Sequence, residues 1–480
     1  MKDIPQNVKK IYFLGICGTG MGSLAGLLKE KGYDVSGSDE NVYPPMSDQL
    51  QALQIPVFTP FAPENLERAK PDLVIVGNVM MEKYAESQAL LKSGIPYTSM
   101  PQAMKHFLLA DKDVIVISGT HGKTTTTSIM TFLLTQLGED VGYFIGGVSK
   151  DFGKSFHVGQ SRYFVIEGDE YDTAFFEKTP KFIHYNPKHV IMTSLEFDHA
   201  DIYRDLEHVT EAFQALAKLI PETGSLHYCA DYQTFSKVAP LCKAPITSYS
   251  HTQAVSPVGS THWQFQNYGI AEKGSHFDLV KNDQFQITVN SPLFGEYNAL
   301  NVLSCFSVLA HLGFDLVEAQ KALLKFQGVK RRQDVLFQDE KLIVLDDFAH
   351  HPTAVKETIG AIRQKYPDRK LVAVFEPRSN TSLRDIFQDE YAASFADAHE
   401  VHFPPVLFAH KVKDGKVLDM QKLTAAIQKQ GVLVVLHENT ASIIDHILLH
   451  SKTPTAVLIM SNGAFENIHR RLIEAWQLGK

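Results

Sequence analysis

The chain is poor in cysteine, has no excess of positive charge and contains no long apolar run. Its four cysteines, Cys17, Cys229, Cys242 and Cys305, show neither the paired spacing of a metal site nor the density of a disulfide framework. That predicts reduced thiols and a cytoplasmic protein. Lys and Arg number 46 against 54 Asp and Glu, a formal charge of -8. A clustered basic surface for nucleic acid is therefore not expected, and any anionic ligand must be held locally. No stretch of 18 apolar residues occurs, and Met1 to Gln6 lacks the apolar core of a secretion signal, so membrane insertion and export are not expected. No obligate protein partner is evident. What is present is 480 residues, 44% hydrophobic and 21% charged, enough for roughly three domains at about 150 residues each.

The most informative segment is Gly119-Thr-His-Gly-Lys-Thr-Thr125. It follows the apolar run Val114 to Ile117 and precedes a helical stretch, so it reads as strand, tight turn and helix start. Turn amides and the positive end of a helix dipole favour phosphate oxygens; Lys123 adds a point charge and the Thr124 hydroxyl can reach a Mg²⁺ ion. Two residues, rather than the usual four, separate the first glycine from Gly-Lys-Thr. A plain glycine turn would leave Lys123 at a helix start without the anion that makes a cation tolerable there.

A second glycine cluster, Gly15-Ile-Cys-Gly-Thr-Gly-Met-Gly22, follows the strand Lys10 to Gly15 and precedes a helix through Lys31. A further strand at Tyr33 to Gly37 leads to Asp39, the arrangement of a dinucleotide-binding unit in which the acid meets a ribose hydroxyl. A structural tight turn is the alternative. The segment Asp111 to Asp113 reads as a linker. Three strand ends then follow, at Gly119, Glu167 and Glu196, the last two opening the acidic clusters Glu167-Gly-Asp-Glu-Tyr-Asp172 and Glu196-Phe-Asp-His-Ala-Asp201. In an open parallel sheet such ends gather the ligand. Residues 225 to 290 suggest an antiparallel excursion. Beyond residue 328, Lys341 to Asp347, Lys370 to Glu376, Val432 to His437 and Ala456 to Ser461 are continuous apolar runs that predict parallel strands buried on both faces. Polar residues at their ends are where a site is built, or where caps and turns are.

Seven segments in order, Gly15 to Met21, Gly119 to Thr125, Glu167 to Asp172, Glu196 to Asp201, Gly295-Glu-Tyr-Asn-Ala-Leu-Asn301, Gly328-Val-Lys-Arg-Arg332 and Asp346-Asp-Phe-Ala-His-His-Pro352, together resemble the Mur ligase family. These are ATP-dependent enzymes that join an amino acid or peptide to a UDP-linked muramyl precursor of peptidoglycan. The resemblance implies an α/β protein of three domains. Residues 1–110 would be a Rossmann-like domain for the UDP-muramyl substrate, 111–327 a P-loop ATPase-like mixed sheet for ATP, and 328–480 a second Rossmann-like domain for the acceptor. His121 and Asp198-His199 look like the branches acting on UDP-N-acetylmuramate itself, one adding L-alanine and the other a recycled tripeptide. Asn41 to Leu50, Tyr171 to Lys178, Asp347 to Pro352 and Glu376 to Thr381 are similar to the tripeptide branch. The implied reaction attaches L-alanyl-γ-D-glutamyl-meso-diaminopimelate to UDP-N-acetylmuramate through an acyl phosphate.

By the same resemblance, Lys123, Glu167, His199, Arg332 and Arg378 act in the reaction. ATP would lie on Gly119, Thr120, His121, Gly122, Lys123, Thr124 and Thr125, with Asn298 and Asn301 at adenine, Arg332 at phosphate and Asp347 at ribose. Gly15, Gly18, Gly20, Met21, Asp39, Asn78 and His121 would hold the UDP-sugar, and Arg378 the acceptor carboxylates. Mg²⁺ would take Thr124, Glu167 and His199. Three positions depart from the family pattern: Tyr297 stands for His, Ser194 for Asn and Gly168 for Ala. Two readings of another class compete: a nicotinamide-dependent oxidoreductase, which leaves the loop at 119 idle, and a non-catalytic ATP-binding regulator, against which Lys123, Glu167 and His199 speak.

Overall fold

The computed structural model describes residues 4–42, 46–251, 260–407, 410, 412 and 415–479. Met1 to Asp3 and the Tyr43 to Pro45 part of the Asn41 to Leu50 stretch lie outside the described residues. The chain forms two compact units. One gathers Met1–Leu195, Glu207–Trp263 and Ser304–Ala322, the other Glu196–Leu206, Gln264–Leu303 and Leu323–Lys480.

In the first unit, β1 (Lys10–Leu14), β2 (Asp34–Ser38), β3 (Val57–Phe58), β4 (Leu73–Val76) and β5 (Tyr97–Ser99) make a parallel sheet in the order β3-β2-β1-β4-β5. Ile11 to Leu14 and Leu73 to Val76 are buried throughout, which is why they read as unbroken apolar runs. The strand order reverses at β1, so the turn Gly15–Gly18 sits at a topological switch point, where such sheets take ligands. The helix Thr19–Glu30 that follows is buried from Met21 to Leu28.

The same unit holds β6 (Asp113–Ser118), β7 (Gly142–Phe144), β8 (Phe156–His157), β9 (Tyr163–Gly168), β10 (Asp172–Ala174), β11 (Glu177–Pro180), β12 (His189–Met192), β13 (Ser225–Cys229) and β14 (Ile246–Ser250). The order β14-β13-β12-β6-β9-β7-β8 is parallel apart from the β7–β8 pair, and β10–β11 form a separate hairpin. Ser118 lies opposite both Gly168 and Met192, so the strand ends expected to converge at Gly119 and Glu167 do so. The segment from Glu196 is grouped with the second unit. Two expectations change here. Asp113 is no linker residue: it opens β6 and pairs with Lys188 at 2.6 Å. The antiparallel excursion starts later than 225, because β13 and β14 continue the parallel sheet.

The second unit contains most of β15 (Thr261–Ala271), followed by β16 (Gly274–Lys281) and β17 (Gln284–Ser291), the last two antiparallel. Its larger sheet is built from β18 (Asp334–Gln338), β19 (Leu342–Asp347), β20 (Lys370–Phe375), β21 (Glu400–Phe403), β22 (Leu433–Leu436) and β23 (Thr455–Met460), in the order β18-β19-β23-β20-β21-β22. Only the β18–β19 pair is antiparallel. The four expected strands are present; β18 is added at one edge and β21 stands between β20 and β22, and the edge strand β22 leaves Leu433 and Leu436 exposed instead of being buried on both faces. Ile343 and Leu345 enter one core, Leu342 and Val344 the other. Each such side chain, fully buried, contributes about 1.5–3 kcal/mol.

Candidate active site

In the first unit, β6 ends in a loop held from beneath by the residues after β12. Thr120 N–H donates to the Ser194 carbonyl at 3.2 Å and His121 N–H to Ser194 Oγ at 2.7 Å. The Thr193 and Ser194 hydroxyls in turn donate to the His121 carbonyl. Ser194 thus ties the loop down from three sides. Gly119 has φ of +143°, and a Cβ there would lie 2.1 Å from Thr193 Oγ1, so only glycine lets the two segments approach this closely. Gly122, at φ of +80°, opens the helix Lys123–Gln136. At Gly168 an added Cβ would meet Val116 Cγ1 at 2.6 Å, which accounts for glycine replacing the usual alanine.

Lys123 Nζ lies 3.0 and 2.9 Å from the two oxygens of Glu170 and bonds the Gly119 carbonyl. Burial alone would lower the ammonium pKa, but Glu170, Asp169 and Glu167 raise it overall, so the cation is fixed. Thr124 Oγ1 donates to Glu167 Oε1 at 3.1 Å, while Glu167 Oε2 accepts from Gly146 N–H at 2.8 Å. Two oxygen ligands at right angles on octahedral Mg²⁺ stand about 2.9 Å apart. The hard oxygens of Thr124 and Glu167 therefore suit that ion in both type and separation.

The turn after β1 is built differently. Gly15 N–H and Ile16 N–H both donate to the Ser38 carbonyl, and Asp39 accepts from Cys17 N–H at 2.8 Å and Asn41 N–H at 2.9 Å. Burial and the Asp39 charge push the Cys17 thiol up to about 11. Met21 is a core residue whose side chain lies against Gly77, while Asn78 is exposed just beyond β4. Gly20 faces Met100 and Phe144, and a Cβ on Gly26 would fall 2.1 Å from the Phe156 ring. Several glycines of this cluster and its helix thus serve close packing.

In the second unit, the nucleotide candidates form one bonded set. Asp347, at the end of β19, accepts from Gln333 N–H at 2.7 Å and Ala349 N–H at 2.8 Å. Burial raises its pKa, against the opposing pull of Arg332. Arg332 stacks 4.7 Å over Phe348 and donates to the Arg331 carbonyl. Asn298 Nδ2 donates to the Phe294 carbonyl and Asn301 Nδ2 to Asn298 Oδ1, at 2.8 and 3.2 Å, so the two do share a helix face. Tyr297 is partly buried, and Gln333 Nε2 donates to its hydroxyl. It anchors the loop that carries Arg332.

The same unit gathers acids and imidazoles around Asp198. His199, whose φ is +56°, donates its N–H to Asp198 Oδ1 at 2.7 Å, and Thr381 Oγ1 donates to the same oxygen at 2.6 Å. His350 Nε2 stands 3.8 Å and His199 Nε2 4.0 Å from Asp198 Oδ2. Burial would raise the Asp198 carboxyl, but His199, His350, His351 and Thr381 hold it well below the usual range. Thr353 Oγ1 donates to Glu196 Oε1 at 3.0 Å. Arg378 lies across Gly463, where a Cβ would be 2.4 Å from Nε, with Glu376 at 3.5 Å.

Thr124 and Glu167 are brought together as expected, and so are Asn298 with Asn301 and Arg332 with Asp347; His199 belongs to the other unit, beside Asp198. Sequence reading gave no role to Glu170, Gln333 or Thr381, named Ser194 only as a departure from the family pattern and used Asp198 only as a marker of the branch. Glu170 and Asp198 lay inside quoted acidic clusters, so residue type alone could have flagged them. Ser194, Gln333 and Thr381 carry no such signal.

Three family models match the chain: "Mur ligase family, catalytic domain" at residues 10–112, "Mur ligase middle domain" at 117–309 and "Mur ligase, glutamate ligase domain" at 331–463. Among characterised proteins, the UDP-N-acetylmuramate–L-alanyl-γ-D-glutamyl-meso-2,6-diaminoheptandioate ligase of Haemophilus influenzae is 36% identical, over 98% of this chain and 100% of its own. The enzyme of that name from Escherichia coli is 37% identical, over 97% and 98%. A UDP-N-acetylmuramate–L-alanine ligase of Lactococcus lactis is 33% identical, over 91% and 92%. Among solved structures, a murein peptide ligase of Psychrobacter arcticus superposes with a TM-score of 0.71 at 35% identity, covering 98% of this chain and 99% of that one. The alanine ligase of Thermotoga maritima gives 0.80 at 22% identity, over 99% and 100%, a likeness of fold.

Proposed function

The chain belongs to the Mur ligase family, whose members are ATP-dependent ligases, and from that premise we propose that it joins L-alanyl-γ-D-glutamyl-meso-diaminopimelate to UDP-N-acetylmuramate. ADP and phosphate are the other products. The reading rests on near-full-length identity of 36% and 37% to two enzymes named for that tripeptide, in a chain that keeps the Lys123, Thr124 and Glu167 geometry. The boundaries 1–110, 111–327 and 328–480 would separate UDP-sugar, ATP and acceptor duties. Peptidoglycan recycling in the cytoplasm is the setting consistent with such substrates, and among the described residues no helix is long and apolar enough to cross a membrane.

A carboxylate resists attack by an amine because of its charge, and phosphorylation removes that charge. Phosphoryl transfer needs positioning and neutralisation more than covalent help. In this reading the loop Gly119–Thr125 cradles the triphosphate, and Lys123 exchanges the Glu170 carboxylate for phosphate oxygens. Thr124 and Glu167 would hold one Mg²⁺, with His199 a further candidate ligand; bound there, the ion would neutralise charge on the phosphates. Arg332 would face phosphate, Asp347 ribose, and Asn298 and Asn301 adenine. Gly15, Gly18, Gly20, Met21, Asp39, Asn78 and His121 would line the UDP-sugar site. With its amides already bonded, Asp39 would shape that turn as much as touch ligand, and Met21 would act through packing. Arg378 would pair with acceptor carboxylates, for which a planar guanidinium is suited.

The test is ADP release from UDP-N-acetylmuramate and ATP with either the tripeptide or L-alanine as acceptor. Release with the tripeptide supports the proposal. Release with L-alanine alone makes the chain an alanine-adding ligase, and release with neither removes both assignments.

A further inference from the structure

The strand β21 reads Glu400-Val-His-Phe403 and is, within its own sheet, the parallel strand without a continuous apolar run. Glu400 and His402 are two apart, so both side chains leave the same face of the strand. On that face they meet His446, from the helix Thr440–His450. Glu400 Oε1 lies 3.2 Å from His402 Nε2 and 2.8 Å from His446 Nε2. Lys370 Nζ takes the other oxygen, Oε2, leaving Oε1 to the two imidazoles. Glu400 and His402 are at most 1% exposed.

The protons on the chain of hydrogen bonds behind His402 can be placed. Ser442 Oγ donates to the Asn439 carbonyl at 2.8 Å, so it accepts from His437 Nδ1 at 3.2 Å. His437 Nε2 is then the acceptor for His402 Nδ1 at 2.7 Å. With both imidazoles neutral, His402 Nε2 carries a lone pair facing a carboxylate oxygen. That nitrogen is buried, with Glu400 Oε1 as its polar neighbour at 3.2 Å. Two facing lone pairs 3.2 Å apart repel, and either a proton on Nε2 or a metal ion beside it relieves that repulsion.

We propose that Glu400, His402 and His446 bind a divalent transition metal of the zinc type, at the amino-terminal ends of β20, β21 and β23. Their three ligand atoms all lie within 4.8 Å of one another. Ligand atoms about 2.0–2.2 Å from a tetrahedral ion stand roughly 3.3–3.5 Å apart, close to what β21 supplies. Two imidazoles and one carboxylate are the borderline donor set that zinc takes in sites with an open fourth position. The bond from His402 Nδ1 to His437 fixes the tautomer that presents Nε2 to a metal, as outer partners of ligating histidines do. A cavity of about 10 Å³, lined by Lys370, Glu400, His402, His446, His450 and Thr455, has room for an ion or one water. Asp347 and Arg378 lie at the opposite, carboxyl ends of this sheet, so the site is separate from the acceptor and nucleotide residues of this unit.

The experiment uses the full-length protein, stripped with chelator and dialysed against buffered Zn²⁺, with bound metal counted by mass spectrometry and Co²⁺ as a spectroscopic substitute. Wild type should hold one more equivalent than His446→Gln or Glu400→Gln, and its Co²⁺ form should show an intense tetrahedral band that both variants lack. His450→Gln, which removes a neighbouring imidazole that supplies no ligand, should keep both. The metal-free melting temperature of His446→Gln controls for folding; Zn²⁺ should raise that of wild type and leave the variant unmoved. Equal stoichiometry in wild type and both ligand variants overturns the site. So does a wild type that takes up no Zn²⁺, which would mark His402 as an imidazolium paired with Glu400. None of these three readouts depends on ligation activity.

Discussion

Two glycine turns in the first unit follow a buried parallel strand and open a helix, yet they are finished with opposite charge. At Gly15–Gly18 the nearby fixed group is an anion, Asp39, already taken by two backbone amides. At Gly119–Gly122 it is a cation, Lys123, held by Glu170. Their glycines differ as well. Gly119 is required by its backbone angle and by Thr193, whereas Gly26, in the helix after the first turn, makes room for Phe156. A glycine pattern thus specifies a tight turn and close approach. Whether the thing that approaches is a ligand or another part of the chain depends on what stands opposite.

The largest expected effect comes from removing the cation. Lys123→Ala should lower ATP-dependent ADP release by about 10²–10³-fold, the cost of losing one preorganised charge partner. Retained turnover would make the second turn no different in kind from the first. Next come the glycines. Gly119→Ala should cost roughly 1–3 kcal/mol from backbone strain alone and weaken binding of a non-hydrolysable ATP analogue by about tenfold or more. Gly26→Ala should lose about 1–3 kcal/mol to overpacking while regaining about 1 kcal/mol of helix propensity, with ATP affinity unchanged. Thermal melts and analogue titrations on both variants break the contrast if the affinities move together.

Glu170→Gln probes the cation's partner. Stability without nucleotide should fall by about 1–3 kcal/mol, while the melting shift produced by ATP grows, because phosphate no longer displaces a carboxylate. An unchanged shift would mean that Glu170 does not compete with the triphosphate. The smallest effect belongs to the first turn. The Cys17 thiol is raised to about 11 by burial and by Asp39. Asp39→Asn removes the charge but not the burial, so the thiol pKa should fall part of the way back and more thiolate should be present at any pH below it. Alkylation of Cys17 across pH 8–10 should then quicken in the variant; a slower or unchanged rate would deny Asp39 its influence on that turn.

Much of the fold was legible because parallel strands buried on both faces leave continuous apolar runs, as at Val114 to Ile117 and Leu342 to Leu345. β21 was missed for the converse reason: Glu400 and His402 occupy one of its faces. The phosphate loop was legible because its chemistry needs Gly, Lys and Thr in immediate succession. Ser194, Gln333 and Thr381 were not, since each acts through a partner more than 35 residues distant in the chain, on His121, Tyr297 and Asp198.

The sequence by itself determined the family, the α/β class and the loop on which Lys123 and Thr124 stand, because these depend on residues adjacent in the chain. Only the tertiary structure decided that Lys123 faces Glu170, that Asp39 is bonded to backbone amides and that Glu400 meets two imidazoles. Those pairings join segments whose contact is set by packing and strand register, and neither is written in the spacing of any one segment.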